Sequence, residues 1–155
     1  MYLLLEYYIN EDRCMNYTAI DVARYVVNKC TLDHHSISNL QLQKILYYIQ
    51  KDFLQSNLIA FDDDFEAWRF GPVIPVVYNK YCGYGGMPIR LLNTRDLLDQ
   101  NYKDIIDPII IEKRVMNPWR LVEETHEPGK AWAEIYKDGL GNHRVIPKEL
   151  IRIKG

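Results

Sequence analysis

The side chains that could bind a metal ion in this sequence lack the spacing that a zinc site requires. Cys30, His34 and His35 lie close together in the chain, whereas His126 and His143 are far from them. A structural zinc site uses four ligands, usually arranged as two closely spaced pairs. We therefore expect no bound metal, and we interpret the histidines as solvated loop residues.

The acidic run of Asp62, Asp63 and Asp64 also lacks the pattern of a calcium-binding loop. Asp62, Asp64 and Glu66 alternate along the chain, but no glycine stands where an EF-hand loop needs one. We interpret the run as a solvated acidic turn that could still contact a basic partner. The glycine-rich residues 83–86 lack the Lys-Ser/Thr pair of a phosphate-binding loop, and we expect an ordinary loop there.

Thr125, His126 and Glu127 include groups that enzymes use, but their arrangement does not indicate catalysis. Neighbours in sequence do not face one another productively, and no serine or cysteine in a nucleophile elbow precedes them. A histidine in the last turn of a helix interacts favourably with the helix dipole. We interpret the segment as a helix end, with contact to a partner as the alternative. We expect neither enzymatic activity nor a cofactor.

Residues 65–78, FEAWRFGPVIPVVY, contain the strongest candidate for a binding surface. Alternation in an extended segment places Trp68 and Phe70 on one face and Arg69 on the opposite face. Two interpretations stay open. The segment is either a structural corner that packs Trp68, or a binding edge at which Trp68 and Arg69 are exposed.

The pair Gly71-Pro72 predicts a sharp corner after a short strand near residues 65–70. Glycine adopts backbone angles that other residues avoid. Proline has the φ angle of the first turn of a helix. We therefore expect a new helix over residues 72–81.

Capping signals and apolar spacing predict the other elements. Thr18 and Ser38, each with a suitable partner three residues later, predict helices over 18–30 and 38–55. The second helix carries the longest apolar stripe, at Leu42, Ile45, Leu46, Ile49 and Phe53.

Further helices are expected over residues 96–116 and after Asn117, which resembles an N-cap followed by proline. Pro108 should end or kink the first of them. A turn or two of helix is expected at 131–136. A second candidate strand lies at 144–146. The predicted fold is mainly α, a compact single-domain arrangement of several helices with a short β element.

Composition indicates a globular protein of one domain, because 155 residues with 48% hydrophobic and 26% charged residues can bury a core. Three cysteines without a CxxC motif argue against a disulfide framework and favour a reducing cytoplasm. The apolar residues 1–9 lack a basic leader and a cleavage site, so we expect neither a signal peptide nor a membrane span.

A net charge of −2 argues against non-specific binding of nucleic acid, which relies on a basic surface. The helices over 18–30 and 38–55 resemble a helix-turn-helix motif, but their connection has about seven residues instead of three or four. Lys44 and Lys51 on the second helix are accompanied by Asp52. Nucleic-acid binding is therefore kept as the alternative.

Four blocks in this order resemble the Panacea domain, a family that includes the SocA-like antitoxins and the phage-associated GepA proteins. The blocks are 17–23 (YTAIDVA), 38–48 (SNLQLQKILYY), 66–73 (EAWRFGPV) and 121–126 (LVEETH). The resemblance covers residues 15–155. Residues 1–14 are then an N-terminal extension, either an added arm or the product of an upstream start codon that the cell does not use.

The resemblance implies a mainly helical, cytoplasmic domain that neutralises a toxin protein. It implies two mechanisms, masking of the toxin or its delivery to a cytoplasmic ATP-dependent protease. The alternative is a DNA-binding transcriptional regulator of a phage or mobile-element locus. Because tyrosine, tryptophan and arginine dominate binding hot spots, we expect the partner to contact exposed members of one set. That set is Lys44, Tyr48, Trp68, Arg69, Tyr78 and His126. Gly71, Pro72, Thr125 and Trp132 are expected to be structural.

Overall fold

Two capped helices, α1 (Ala19–Leu32) and α2 (Asn39–Gln55), begin the fold in the computed structural model, which describes residues 17–92 and 95–155. Thr18 and Ser38 are the N-caps, and each forms a reciprocal capping box with the third residue of its helix. These boxes satisfy amide groups that the helix itself leaves unpaired. Both predicted helix starts are confirmed. The predicted extension at residues 1–14 lies outside the described residues.

Helix α2 is buried along almost its whole length. The predicted apolar stripe is confirmed, because each of its members is at most 4% exposed: Leu42, Ile45, Leu46, Ile49 and Phe53. Polar side chains on the other faces, including Gln43, Lys44 and Gln50, are buried as well. Since neighbours surround the helix, periodicity alone could not identify these polar positions as buried.

A small antiparallel sheet follows α2. Strand β1 (Phe65–Trp68) lies between β2 (Gly71–Val73) and β3 (Val145–Ile146). Glu66 pairs with Val73 in one neighbour and with Val145 in the other. Both predicted β elements are therefore present, although the first one ends two residues early.

The prediction that a helix begins at Pro72 is wrong. Pro72 lies in the edge strand β2, and helix α3 (Pro75–Tyr81) begins with Pro75 in its first turn. The φ angle of proline suits an extended strand as well as a helix. An edge strand also tolerates the missing N–H, so pairing with β1 decides the structure.

The C-terminal half is helical. Its α-helices are α4 (Gln100–Arg114), α5 (Pro118–His126), α6 (Ala131–Tyr136) and α7 (Lys148–Lys154), and short 3-10 turns lie at Cys82–Tyr84 and Lys137–Gly139. Asn117 caps α5 as predicted, and its side chain accepts a hydrogen bond from the amide of Trp119. Pro108 does not end α4, since buried Ile106 and Ile110 hold the helix on both sides of the proline.

Helix α2 packs against α1, α3, α4, α5, α7 and β2, so it is the centre of the core. The described residues form seven α-helices and one three-stranded sheet, which confirms the mainly α fold. None of the described helices has the length and apolar character needed to cross a membrane.

The central position of α2 makes it sensitive to truncation of its side chains. Leu46 is fully buried, so Leu46→Ala should lower the free energy of unfolding by about 2–5 kcal/mol. Leu140, which is 85% exposed, provides the control, and Leu140→Ala should have an effect below about 0.5 kcal/mol. Urea unfolding measures both. Similar values for the two variants would contradict the placement of α2 in the core.

Candidate functional site

The corner after β1 is built around a glycine with no room beside it. Gly71 has a φ angle of +113°, which side-chain-bearing residues rarely adopt. A Cβ atom at this position would lie 2.6 Å from Nζ of Lys44 and 2.9 Å from Oγ1 of Thr125. The φ angle and the closely packed side chains of α2 and α5 therefore both favour glycine at this position.

Lys44 fills the space beside Gly71 and is completely buried. Its Nζ donates a hydrogen bond of 3.1 Å to the carbonyl oxygen of Pro72. In the part of the chain that the structure describes, no carboxylate lies within ion-pair distance of this amine. Burial lowers the pKa of Lys44 to about 7. Lys44 belongs to the set whose exposed members were expected to contact the partner, and its burial removes it from that set.

His126 and Trp132 support the corner from the other side. Their rings stack with centroids 3.6 Å apart, and Nε1 of Trp132 donates a 2.8 Å hydrogen bond to the carbonyl oxygen of Trp68. Burial, together with the charge of Lys44, lowers the pKa of His126 to about 4. The hydroxyl of buried Thr125 donates to the carbonyl oxygen of Val122. His126 is thus a neutral packing residue near physiological pH.

Tyr48 also has partners inside the protein. Its hydroxyl donates to a carboxylate oxygen of Glu124, and Nζ of Lys113 lies 4.0 Å from the centre of its ring. The same amine lies 3.6 Å from Glu124. Burial and the bond to Glu124 raise the pKa of Tyr48. The structure therefore places Tyr48 in a partly buried cluster with Glu124 and Lys113, and Tyr48 does not line the groove at Trp68.

The other candidate residues come together at the surface, where the hairpin between β1 and β2 meets α3 and α5. They line a groove of about 450 Å³. We call it the aromatic groove and define it by Trp68, Arg69, Phe70, Tyr78, Trp119 and His143. Phe70 and Trp119 are 45% and 57% exposed, so their rings are open to solvent.

Ring contacts fix the shape of the aromatic groove. Trp68 stacks on His143 at 4.6 Å and meets Tyr78 edge-on at 5.0 Å between ring centroids. Phe70 meets Trp119 edge-on at 5.5 Å. Such stacked and edge-to-face arrangements are favourable, so the rings are held in place before a partner arrives.

The prediction that Arg69 lies on the face opposite Trp68 and Phe70 is wrong. Strand β1 ends at Trp68, and residues 69–70 form the turn to β2, so the alternation of a strand does not extend to them. The guanidinium carbon of Arg69 lies 5.4 Å from the centre of the Phe70 ring. Arg69 therefore lines the same groove as the two aromatic residues.

Trp119 and His143 belong to the groove but were not predicted. Trp119 follows the proline that starts α5, and His143 precedes β3. The sequence signals at both positions concern local turns and caps. Only long-range packing brings them to the hairpin, so no local pattern could have placed them there.

The residues first considered for metal or calcium binding have other roles. Asp63 accepts a 2.7 Å hydrogen bond from the amide of Ala19, and Asp64 pairs with Lys148 at 2.8 Å. The acidic turn thus binds the first residue of α1 and the first residue of α7 through these two contacts. Within residues 17–92 and 95–155, no three His, Cys, Asp or Glu side chains are placed to hold a metal ion.

A second depression, of about 780 Å³, lies between the end of α1 and residues 88–92. Its lining includes His34, His35 and Arg90, and no phenylalanine, tyrosine or tryptophan of the described residues lines it. Exposed aromatic anchors are typical of protein-binding sites. The aromatic groove is therefore the stronger candidate for a contact surface.

Comparison with known proteins identifies the family. The family model described as "Antitoxin SocA-like, Panacea domain" matches residues 42–133. The chain belongs to the SocA-like antitoxin family. The antitoxin SocA of Caulobacter vibrioides (strain NA1000 / CB15N) is 31% identical over 137 residues, which cover 79% of this chain and 71% of that protein. No solved structure matches.

The matched range contains every part of the corner and its support. Lys44 lies near its start, Gly71 and Pro72 lie in its middle, and Trp132 lies near its end. The SocA-like region of this chain is thus the region that builds the aromatic groove, apart from His143.

The buried amine of Lys44 should make stability depend on pH. Between about pH 7 and the ordinary lysine pKa of 10.5, the unfolded chain binds one more proton than the folded chain. The contribution of Lys44 to stability should therefore rise with pH, by up to about 1.4 kcal/mol per unit. Lys44→Met removes this contribution. The free energy of unfolding of Lys44→Met, minus that of the wild type, should be largest at pH 7. This difference should become smaller towards about pH 9.5, which is below the range in which tyrosines titrate.

Urea unfolding across this pH range provides the measurement. The control is Lys80→Met, because Lys80 is exposed on α3 and should leave the pH dependence of the wild type unchanged. Parallel pH profiles for the wild type and Lys44→Met would show that Lys44 does not titrate as a buried amine.

The tight approach at Gly71 should make Gly71→Ala destabilising. The alanine would combine an unfavourable φ angle with a clash against Lys44, and we expect a loss of at least about 1–3 kcal/mol. Gly83→Ala is the matched control, because a Cβ atom there would meet nothing within 4 Å. Thermal or urea unfolding distinguishes the two. A tolerated Gly71→Ala would contradict the described geometry.

Proposed function

We propose that this protein is an antitoxin that binds a toxin protein directly and neutralises it, with the aromatic groove as the contact surface. The observation that carries the proposal is the convergence of exposed Phe70 and Trp119 beside Arg69 in one groove. Exposed aromatic and arginine side chains in a preformed concavity are characteristic of binding hot spots. Membership of the SocA-like antitoxin family supports the identity of the partner as a toxin.

The domain that acts is proposed to be residues 15–155, working in the cytoplasm. Of the six contact candidates, Trp68, Arg69 and Tyr78 line the groove, and Tyr78 is 38% exposed. Tyr48 and His126 are assigned to internal support, because each is engaged by side chains of the protein itself. The contact set is therefore Trp68, Arg69, Tyr78 and the two additional rings, Phe70 and Trp119.

Binding is favoured over catalysis by the same geometry. Lys44, Thr125 and His126 lie together and could suggest an enzyme, but Lys44 and Thr125 donate to backbone carbonyls and the His126 ring is stacked on Trp132. Lys44 is also sealed from solvent. These groups hold the corner and are not open to a substrate.

A protein partner is favoured over DNA by the chemistry of the groove. Arg69 is its one permanently charged lining residue among those that the structure describes. Binding to a duplex relies on several lysine or arginine contacts to phosphates. A mostly apolar groove with one cation suits a protein surface better than a phosphate backbone.

Two mechanisms of neutralisation fit a groove that binds a toxin. The protein masks the active surface of the toxin, or it carries the toxin to a cytoplasmic ATP-dependent protease. Both begin with the same contact, so the same variants disrupt both. The requirement for the protease separates them.

The test is co-expression with the candidate toxin from the neighbouring gene, with growth as the readout. The double variant Phe70→Ala/Trp119→Ala should abolish rescue and weaken binding by at least about 30-fold, since hot-spot aromatics contribute about 2 kcal/mol or more. Both side chains are partly exposed, so the melting temperature should change little. Leu140→Ala is the control, because its exposed side chain lies outside the groove, and it should rescue fully.

Repeating the assay in a strain without the protease distinguishes the mechanisms. Rescue that persists indicates masking, whereas rescue that is lost indicates delivery. Full rescue by the folded double variant would show that the groove is not the contact surface. Sequence-specific DNA binding without rescue would favour the regulator instead.

A further inference from the structure

The aromatic groove contains a positive charge that no carboxylate of the described residues neutralises. Arg69 is exposed, and no described aspartate or glutamate lies within ion-pair distance of its guanidinium group. The nearby Glu66 accepts a 2.7 Å hydrogen bond from Nε1 of Trp68. Arg114 and Arg152, by contrast, pair with Asp33 and Glu149. Because Arg69 lines the aromatic groove, its cation borders the space in which a partner would lie.

The polar groups beneath the groove are already engaged. Asn39 donates to the carbonyl oxygen of Tyr78 at 3.2 Å, and Gln43 donates to Asn39 at 3.1 Å. The side-chain oxygen of Gln43 accepts from the amide of Ile74 at 2.9 Å. These bonds leave aromatic faces as the main surface for an occupant, so its buried part should be apolar.

The size of the groove also restricts the occupant. A volume of about 450 Å³ lies at the small end of the range for binding pockets. It suits one large side chain with its flanking backbone rather than a whole helix. An aromatic side chain would add stacking or edge contacts to Phe70 and Trp119.

We propose that the aromatic groove binds a segment of the partner protein in which an aromatic side chain stands beside a carboxylate. This inference rests on the proposed function and names the chemistry of the toxin segment. The aromatic ring packs against the exposed surfaces of Phe70 and Trp119. The carboxylate pairs with the guanidinium group of Arg69, which can donate two parallel hydrogen bonds to it.

Two small probes test the charge and the ring together. N-acetyl-tryptophan carries an indole beside a carboxylate, and N-acetyl-tryptophanamide carries the same indole without the charge. Both are titrated into the full-length ¹⁵N-labelled chain at low salt, and the indole N–H signals are followed by NMR. We expect shifts at Trp68 and Trp119 and none at Trp132, which is only 7% exposed.

The acid should bind up to about fivefold more tightly than the amide, the range for an exposed ion pair, and high salt should reduce this preference. Arg69→Gln should abolish the preference while both probes still bind. Arg90→Gln is the matched control, because Arg90 is exposed and lines the second depression instead. It should leave the preference unchanged.

Equal binding of acid and amide, shifts confined to the second depression, or no binding by either probe would overturn the inference. Failure of the probes together with loss of rescue by Phe70→Ala/Trp119→Ala would reject the proposed chemistry and retain the proposed function. Probe binding as expected, together with full rescue by that double variant, would show that the groove does not contact the toxin. That result would remove the proposed function instead.

Discussion

The contact of the Lys44 amine with the Pro72 carbonyl oxygen, in the space left by Gly71, is the interaction on which the rest of the site depends. It brings the edge strand β2 against the central helix α2 and the end of α5. A buried amine with no carboxylate partner reduces stability. We interpret the buried amine as necessary for holding the corner in place, because an apolar side chain at position 44 could not donate a hydrogen bond to the carbonyl oxygen of Pro72.

The fixed corner explains why residues with catalytic character are engaged in internal contacts. Thr125 and His126 end α5 beside Lys44, and Trp132 stacks on His126 while it donates to the carbonyl oxygen of Trp68. These contacts hold both strands of the hairpin. Its turn then carries Arg69 and Phe70 outward to meet Trp119. The buried half of the family region positions the aromatic groove, and the exposed half is the surface that we propose contacts the toxin.

Local signals in the sequence predicted the helix starts and the spine of the core. Capping by Thr18 and Ser38, and the apolar stripe on α2, depend on residues three or four positions apart, so they can be read without the fold. Pro72 was placed in a helix because its φ angle fits both structures, and pairing with β1 decides between them. The burial of Lys44 and the meeting of Phe70 with Trp119 arise from contacts between distant segments. No periodic pattern in a single sequence indicates such contacts.

If the hairpin and the start of α5 contact the toxin, their backbone amides should be protected in the complex. Hydrogen–deuterium exchange of the free chain and of its complex with the toxin measures this protection. We expect slower exchange in the complex at residues 68–73 and 117–121, with α7 unchanged. Slower exchange in α7 or at residues 31–36, with none at the hairpin, would contradict it.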